Sequence, residues 1–288
     1  MIAKIALERT QDSKRLASLL RSLINEFPNA VPNLNSKSQR PDPRVQQIVR
    51  ENLQQWDLGL PSHSYEKAFI AGHSIAITAY HHVSSPQLQA DIALFTGLAI
   101  LVDDAAMGIP AIEEFVPRFV SGSRQLHPSL DRFVESVHTL AAYFPPFAAN
   151  IVLSSTIDYV NSELYQRQEK ENMYLERGSI PYTKYMRSKD GYGEAYAACI
   201  WPKSVFPDTK KYVQAIPDTM EYLTLINDIF SYYKEIEAGE TGTFVLNFAT
   251  ANQQTGLDAL EDLITYLLVL VERESRYRLV ELLPDLLS

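Results

Sequence analysis

Glycine is scarce in this chain, 11 of 288 residues, and apolar side chains recur at spacings of three and four along almost its whole length. That period is the mark of amphipathic helices, and it limits the possible folds more than any other feature. No stretch alternates apolar and polar residues long enough to demand a sheet, and no strand–helix alternation suggests a parallel one. The spacing predicts helices over about 11–27, 43–56, 64–84, 86–107, 127–141, 147–172, 181–199, 207–237 and 256–283. The breaks carry turn residues: a Pro/Asn/Ser-rich loop over 28–44, Gly108-Ile109-Pro110, Pro145-Pro146, ERGSIP over 176–181 and GETG over 239–242. No linker, repeat or low-complexity tract interrupts the pattern. A single all-α domain over 1–288 is the simplest account.

Composition narrows the function. Twenty-six Lys and Arg against 35 Asp and Glu give a net charge of −9, and no basic tract offers a nucleic-acid surface. A single cysteine, Cys199, excludes an intrachain disulfide framework and a multi-cysteine zinc site. Within an apolar helix it reads as packing rather than a nucleophile. The most apolar window, 92–102, is too short to span a membrane, which takes roughly 20 residues. The first residues turn polar too soon for a signal peptide. The expectation is a soluble cytoplasmic protein.

Polar residues inside apolar helices are the informative exceptions. In LFTGLAILVDDAAM (94–107), Asp103 and Asp104 end a buried-looking run. A carboxylate pair there sits either at a solvated helix end or beside a cation. In LTLINDIFSYYKE (223–235), Asn227, Ser231 and Glu235 fall at i, i+4 and i+8 on one helical face. An amide oxygen, a hydroxyl and a carboxylate in a row suit a hard cation that keeps room for substrate phosphate. Lys234 stands beside them to meet that phosphate. A polar stripe on a solvated helix is the alternative, and it explains Asn227 poorly. His81 and His82 are adjacent, so they point to different faces and do not chelate from one side of a helix.

Asn227-Asp228-x-x-Ser231-x-x-Lys234-Glu235 resembles the second metal motif of class I terpene synthases, most closely the fungal trichodiene-synthase-like branch. Asp103-Asp104 is similar in position to that family's aspartate-rich motif. Between them YMRSKDG (185–191) resembles its diphosphate-sensing segment, and Ile200-Trp201-Pro202-Lys203 is similar as well. The resemblance covers roughly 64–265 and implies the isoprenoid-synthase helical bundle. It implies Asp103 as a metal ligand with Asp104 as a salt-bridge or switch partner. Asn227, Ser231 and Glu235 would be the second ligand set. Arg187 would be the diphosphate sensor, Asp190 a linker and Gly191 a carbonyl effector. Lys234 would be a further diphosphate contact. The implied cofactor is Mg²⁺, three ions. The implied substrate is a prenyl diphosphate, farnesyl ahead of geranyl, converted to a hydrocarbon or alcohol. A chain-elongating synthase would carry two aspartate-rich motifs, and the Asn/Ser/Glu type of the second argues against it. A homodimer is implied by the resemblance alone. Phe95, Trp201 and Tyr80 are candidates for an aromatic wall around a carbocation, or for core packing.

Two departures stand out. The third acid of the aspartate motif is replaced by Ala105, Ala106, Met107 and Gly108. Arg276-Tyr277 resembles the family's closing Arg-Tyr pair, yet one helix over 256–283 would carry it away from the site, where the family has a return helix. The chain is then either shortened internally, or Arg276 is an ordinary surface residue. A catalytically impaired relative that only binds diphosphate or serves as a partner is the competing expectation.

Overall fold

The segment from Pro86 to Asp103 is buried along nearly its whole length, so the helix it forms must be surrounded. Ser85 caps it by accepting the Leu88 N–H at 3.2 Å, and Pro86 at the first turn needs no partner for a missing N–H. The computed structural model describes the backbone of residues 2–30, 42–104, 107–169 and 175–276. It describes side chains over 12–26, 42–104, 107–168 and 175–273.

Among these the chain forms helices and turns and no strand. The elements are α1 (Ile2–Ala30), α2 (Pro43–Gln55), α3 (Ser62–Ala79), α4 (Pro86–Asp103), α5 (Ile109–Glu113), α6 (Phe115–Ser121) and α7 (Pro128–Ala141). They continue with α8 (Pro146–Glu169), α9 (Ile180–Asp190), α10 (Gly193–Ala198), a 3₁₀ turn at Thr209–Lys211, α11 (Ile216–Ala238), α12 (Phe244–Asn252) and α13 (Gly256–Arg276). No described helix is long and apolar enough to cross a membrane.

The chain divides into two compact units, one of Met1–Ser36, Asn172–Ser188 and Pro217–Ser288, the other of Lys37–Glu171 and Lys189–Ile216. In the first, α13 lays Leu260, Leu263 and Leu267 against Leu23 of α1, Ile229 of α11 and Val245 of α12. In the second, α4 is the axis, packed by α2, α3, α7 and α8. Its crossing with α3 is close enough that a Cβ on Gly72 would strike the Ala93 carbonyl, and one on Gly97 the Phe69 ring. The buried Asp91 is held by the Tyr143 hydroxyl at 2.7 Å and the Gln87 amide at 3.0 Å, while burial pushes its carboxyl pKa upward.

Several predicted boundaries move. The helix expected over 64–84 stops at Ala79, because the Gln89 amide donates to the carbonyls of Tyr80 (2.8 Å) and Val83 (3.0 Å) and holds a turn there. The one expected over 86–107 ends at Asp103, and Pro110, read as a breaker, instead opens α5. The helix over 181–199 splits into α9 and α10 at Tyr192, whose φ is +52°. The one over 207–237 begins only at Ile216. A helix the periodicity missed, α12, fills 244–252, so the chain after Gly242 forms two described helices rather than one. The helix expected over 256–283 begins at Gly256 as expected and is described as far as Arg276. Arg276 is the last residue of α13, its side chain lies outside the described residues, and so does Tyr277.

Candidate active site

The first unit carries the second motif. Asn227, Ser231 and Glu235 lie on successive turns of α11, as their spacing requires. The Ser231 hydroxyl donates to one carboxylate oxygen of Glu235, and the other oxygen, Oε2, is buried with no hydrogen-bond donor among the described residues. A buried carboxylate oxygen without a donor is unfavourable, and a cation relieves it. With an amide and a hydroxyl on the same face, the donor set is all oxygen and fits a hard divalent ion. Among the described residues no three His, Cys, Asp or Glu side chains cluster, so the amide and hydroxyl are needed to complete such a set. Lys234 is exposed, its ammonium 5.7 Å from the centre of the Tyr233 ring.

Arg187, on α9, is held from the same helix. Its Nε donates to Asp228 Oδ2 at 2.8 Å, its Nη2 lies 2.8 Å from Asp228 Oδ1, and Nη2 also donates to the Thr224 carbonyl at 3.3 Å. A two-point fork of this kind fixes the plane of the guanidinium. The residue that orients the expected diphosphate sensor is thus Asp228, one position after the first ligand of the motif. Sequence spacing placed Asp228 on a neighbouring face and gave it no role.

The second unit carries the rest. Asp103 and Asp104 stand exposed at the carboxyl end of α4, with the Asp104 N–H closing the helix onto the Ile100 carbonyl at 2.9 Å. Ala105 and Ala106 lie outside the described residues. Arg167 of α8, unnoticed in the sequence, donates to the carbonyls of Val102 and Met107. Asp190 ends α9. Gly191 and Tyr192 make the break before α10, and the Tyr192 ring stacks on Tyr159 with centroids 4.7 Å apart. Lys189, next to Asp190, pairs with Asp158 at 2.6 Å.

Phe95 is wholly enclosed, its ring 5.0 Å from Tyr192 and 6.0 Å from Phe133. Trp201 is equally buried and stacks on Tyr212 at 4.8 Å. Tyr80 is buried too, and its hydroxyl donates to the Tyr196 carbonyl at 2.8 Å. All three stand in aromatic packing, with no face turned to solvent. Cys199 is buried and His82 half-buried in the same unit.

The fold is that of the class I terpene synthases. The linalool/nerolidol synthase of Streptomyces clavuligerus superimposes with a TM-score of 0.63, at 15% identity, over 89% of this chain and 88% of that one. Residues 67–281 match the family described as trichodiene synthase (TRI5), and the chain belongs to that family. Monoterpene synthase 25 of Postia placenta is 31% identical over 258 residues, 89% of this chain and 76% of that protein. Terpene synthase 29 of the same fungus is 36% identical over 194 residues, and the match spans 67% of this chain and 56% of that relative. Membership places the chain among terpene synthases, the carbon–oxygen lyases that act on prenyl diphosphates.

Proposed function

We propose that this chain, as one catalytic domain over 1–288, ionises an allylic prenyl diphosphate, farnesyl ahead of geranyl, to a terpene hydrocarbon or alcohol and free diphosphate. The observation that carries it is Glu235 on α11, one oxygen held by Ser231 and the other buried with no donor among the described residues, two turns on from the motif's amide, Asn227. Asn227, Ser231 and Glu235 would hold one Mg²⁺ and Asp103 another, three ions in all. Bound Mg²⁺ supplies neutralisation of the charge that builds on the departing diphosphate.

The chain's own residues do the remainder. Arg187, with its plane fixed by Asp228, and Lys234 donate charge-assisted hydrogen bonds to the diphosphate oxygens. The allylic carbon–oxygen bond breaks with its electron pair leaving on the diphosphate. The resulting allyl cation then loses a proton or captures water. The Gly191 carbonyl, at the backbone break before α10, faces the charge as it forms. The aromatic cluster that includes Phe95 and Tyr192, and the Trp201–Tyr212 stack, are the rings that would stabilise the cation and keep water from it. Arg276 and Tyr277 are assigned to the diphosphate by the motif alone.

Support for the class of substrate comes from relatives named as monoterpene, longiborneol and α-cuprenene synthases. The test is incubation of the purified protein and its Asn227→Ala variant with Mg²⁺ and either farnesyl or geranyl diphosphate, read by gas chromatography–mass spectrometry. A terpene from one substrate, lost in the variant, establishes the activity and the chain length together. A folded protein that yields no product from either overturns the proposal.

A further inference from the structure

The carboxyl end of α4 is closed by a ladder from α8. Tyr159, Glu163 and Arg167 recur at i, i+4 and i+8, one face of that helix. The Tyr159 hydroxyl donates to the Ala99 carbonyl at 2.8 Å. Two turns further along α8, the Arg167 guanidinium donates through Nη1 to the Met107 carbonyl at 2.9 Å and through Nη2 to the Val102 carbonyl. Glu163, itself 6% exposed, stands 3.9 Å from Nη2 and balances the charge. The two carbonyls stand on either side of Asp103 and Asp104 in the sequence. Helix-end carbonyls lack intrahelical donors, and a cation is favoured there. The guanidinium meets the two carbonyls at once through two separate nitrogens, whereas an ammonium is a compact point charge. The side chain of Arg167 is only 12% exposed, so the interaction is shielded from water.

We infer that Arg167 is a positioning residue for the aspartate turn: it fixes where the Asp103 carboxylate stands, and through it how tightly the site takes a divalent cation with diphosphate. This rests on the assignment of Asp103 as a metal ligand under Proposed function. Arg167 itself meets neither metal nor substrate. In this chain, where alanines and a methionine replace the aspartate motif's third acid, the Val102 and Met107 carbonyls are held from α8. Outer residues of this kind typically set metal affinity by 10–100-fold.

The test uses the full chain with Arg167→Met, Arg167→Lys and Gln168→Ala. Gln168 donates to Glu113 of α5 at 2.6 Å and so braces the neighbouring helix without touching the bracketed carbonyls. Binding of Mn²⁺ in the presence of inorganic diphosphate is measured by calorimetry, with circular dichroism to verify folding. Arg167→Met is expected to weaken that binding about 10-fold or more. Arg167→Lys should stay weakened several-fold although it keeps the charge, and Gln168→Ala should bind as the wild type does. If Arg167→Met does not fold, Arg167→Lys decides alone. Wild-type affinity in a folded Arg167→Met, full rescue by lysine, or no metal–diphosphate binding by the wild type each overturns the inference. A wild type that binds Mn²⁺ and diphosphate but releases no terpene overturns the proposed activity instead, and leaves the Arg167 comparison standing.

Discussion

Arg187 and Asp228 stand 41 residues apart in sequence and meet through two bonds of 2.8 Å, both side chains shielded from solvent. Removing one partner of such a pair leaves a buried charge, typically at about 3 kcal/mol. Asp228→Asn should therefore lower unfolding free energy in urea by about 2–3 kcal/mol. A change below about 1 kcal/mol would mean that water screens the pair as it does at a surface. His82 gives a pH prediction. Its Nε2–H donates to the Ile200 carbonyl at 3.0 Å, its Nδ1 is buried with no partner among the described residues, and burial pushes its pKa down to about 4. The unfolded chain, titrating near 6.5, then binds more protons than the folded one between those two values. Stability should be full above about pH 6.5 and fall as pH drops toward 4, by about 3 kcal/mol in all. Melting temperature against pH should show that fall in the wild type, and His82→Gln should flatten it. At this scale the sequence was readable where a pattern lies along one helix. Asn227, Ser231 and Glu235 announce themselves by spacing on one helix. The partners of Arg187 and Arg167 come from other elements at long range, and no periodicity within a helix reports them.

At the scale of elements, α3 and α4 approach closely through Gly72 and Gly97. A methyl group on Gly72 meets backbone, which cannot yield, whereas one on Gly97 meets the Phe69 ring, which can turn. Gly72→Ala should then cost about 1–3 kcal/mol, and more than Gly97→Ala, by thermal denaturation. The reverse order would show that the Phe69 ring is the more rigid neighbour. Helix existence was legible wherever an apolar stripe ran for three turns or more. It failed at 109–113, 115–121 and 244–252, where the elements are too short to show a period. It failed also inside 181–199, where the stripe continues through a break made by one residue, Tyr192. That break depends on a ring stack with α8, a contact between elements that local pattern does not encode.

For the whole molecule, the five chain segments alternate between the two units, so the backbone passes between them four times. α9 is one continuous helix whose residues up to Ser188 belong to the first unit and whose last two belong to the second. Neither unit is a contiguous stretch that could be cut away. Both tryptophans, Trp56 and Trp201, lie in the second unit, so their fluorescence reports it alone, while far-ultraviolet dichroism reports both. The two signals should follow one coincident transition in urea. Separate midpoints would show that the units unfold independently in spite of the shared helix. The lone cysteine has a practical consequence. Cys199 is fully buried, and burial raises its pKa, so the native thiol is inert toward maleimides. The natural protein is already a blank background for labelling, and one cysteine introduced at an exposed site such as Glu237 would carry a spin or fluorescent probe alone.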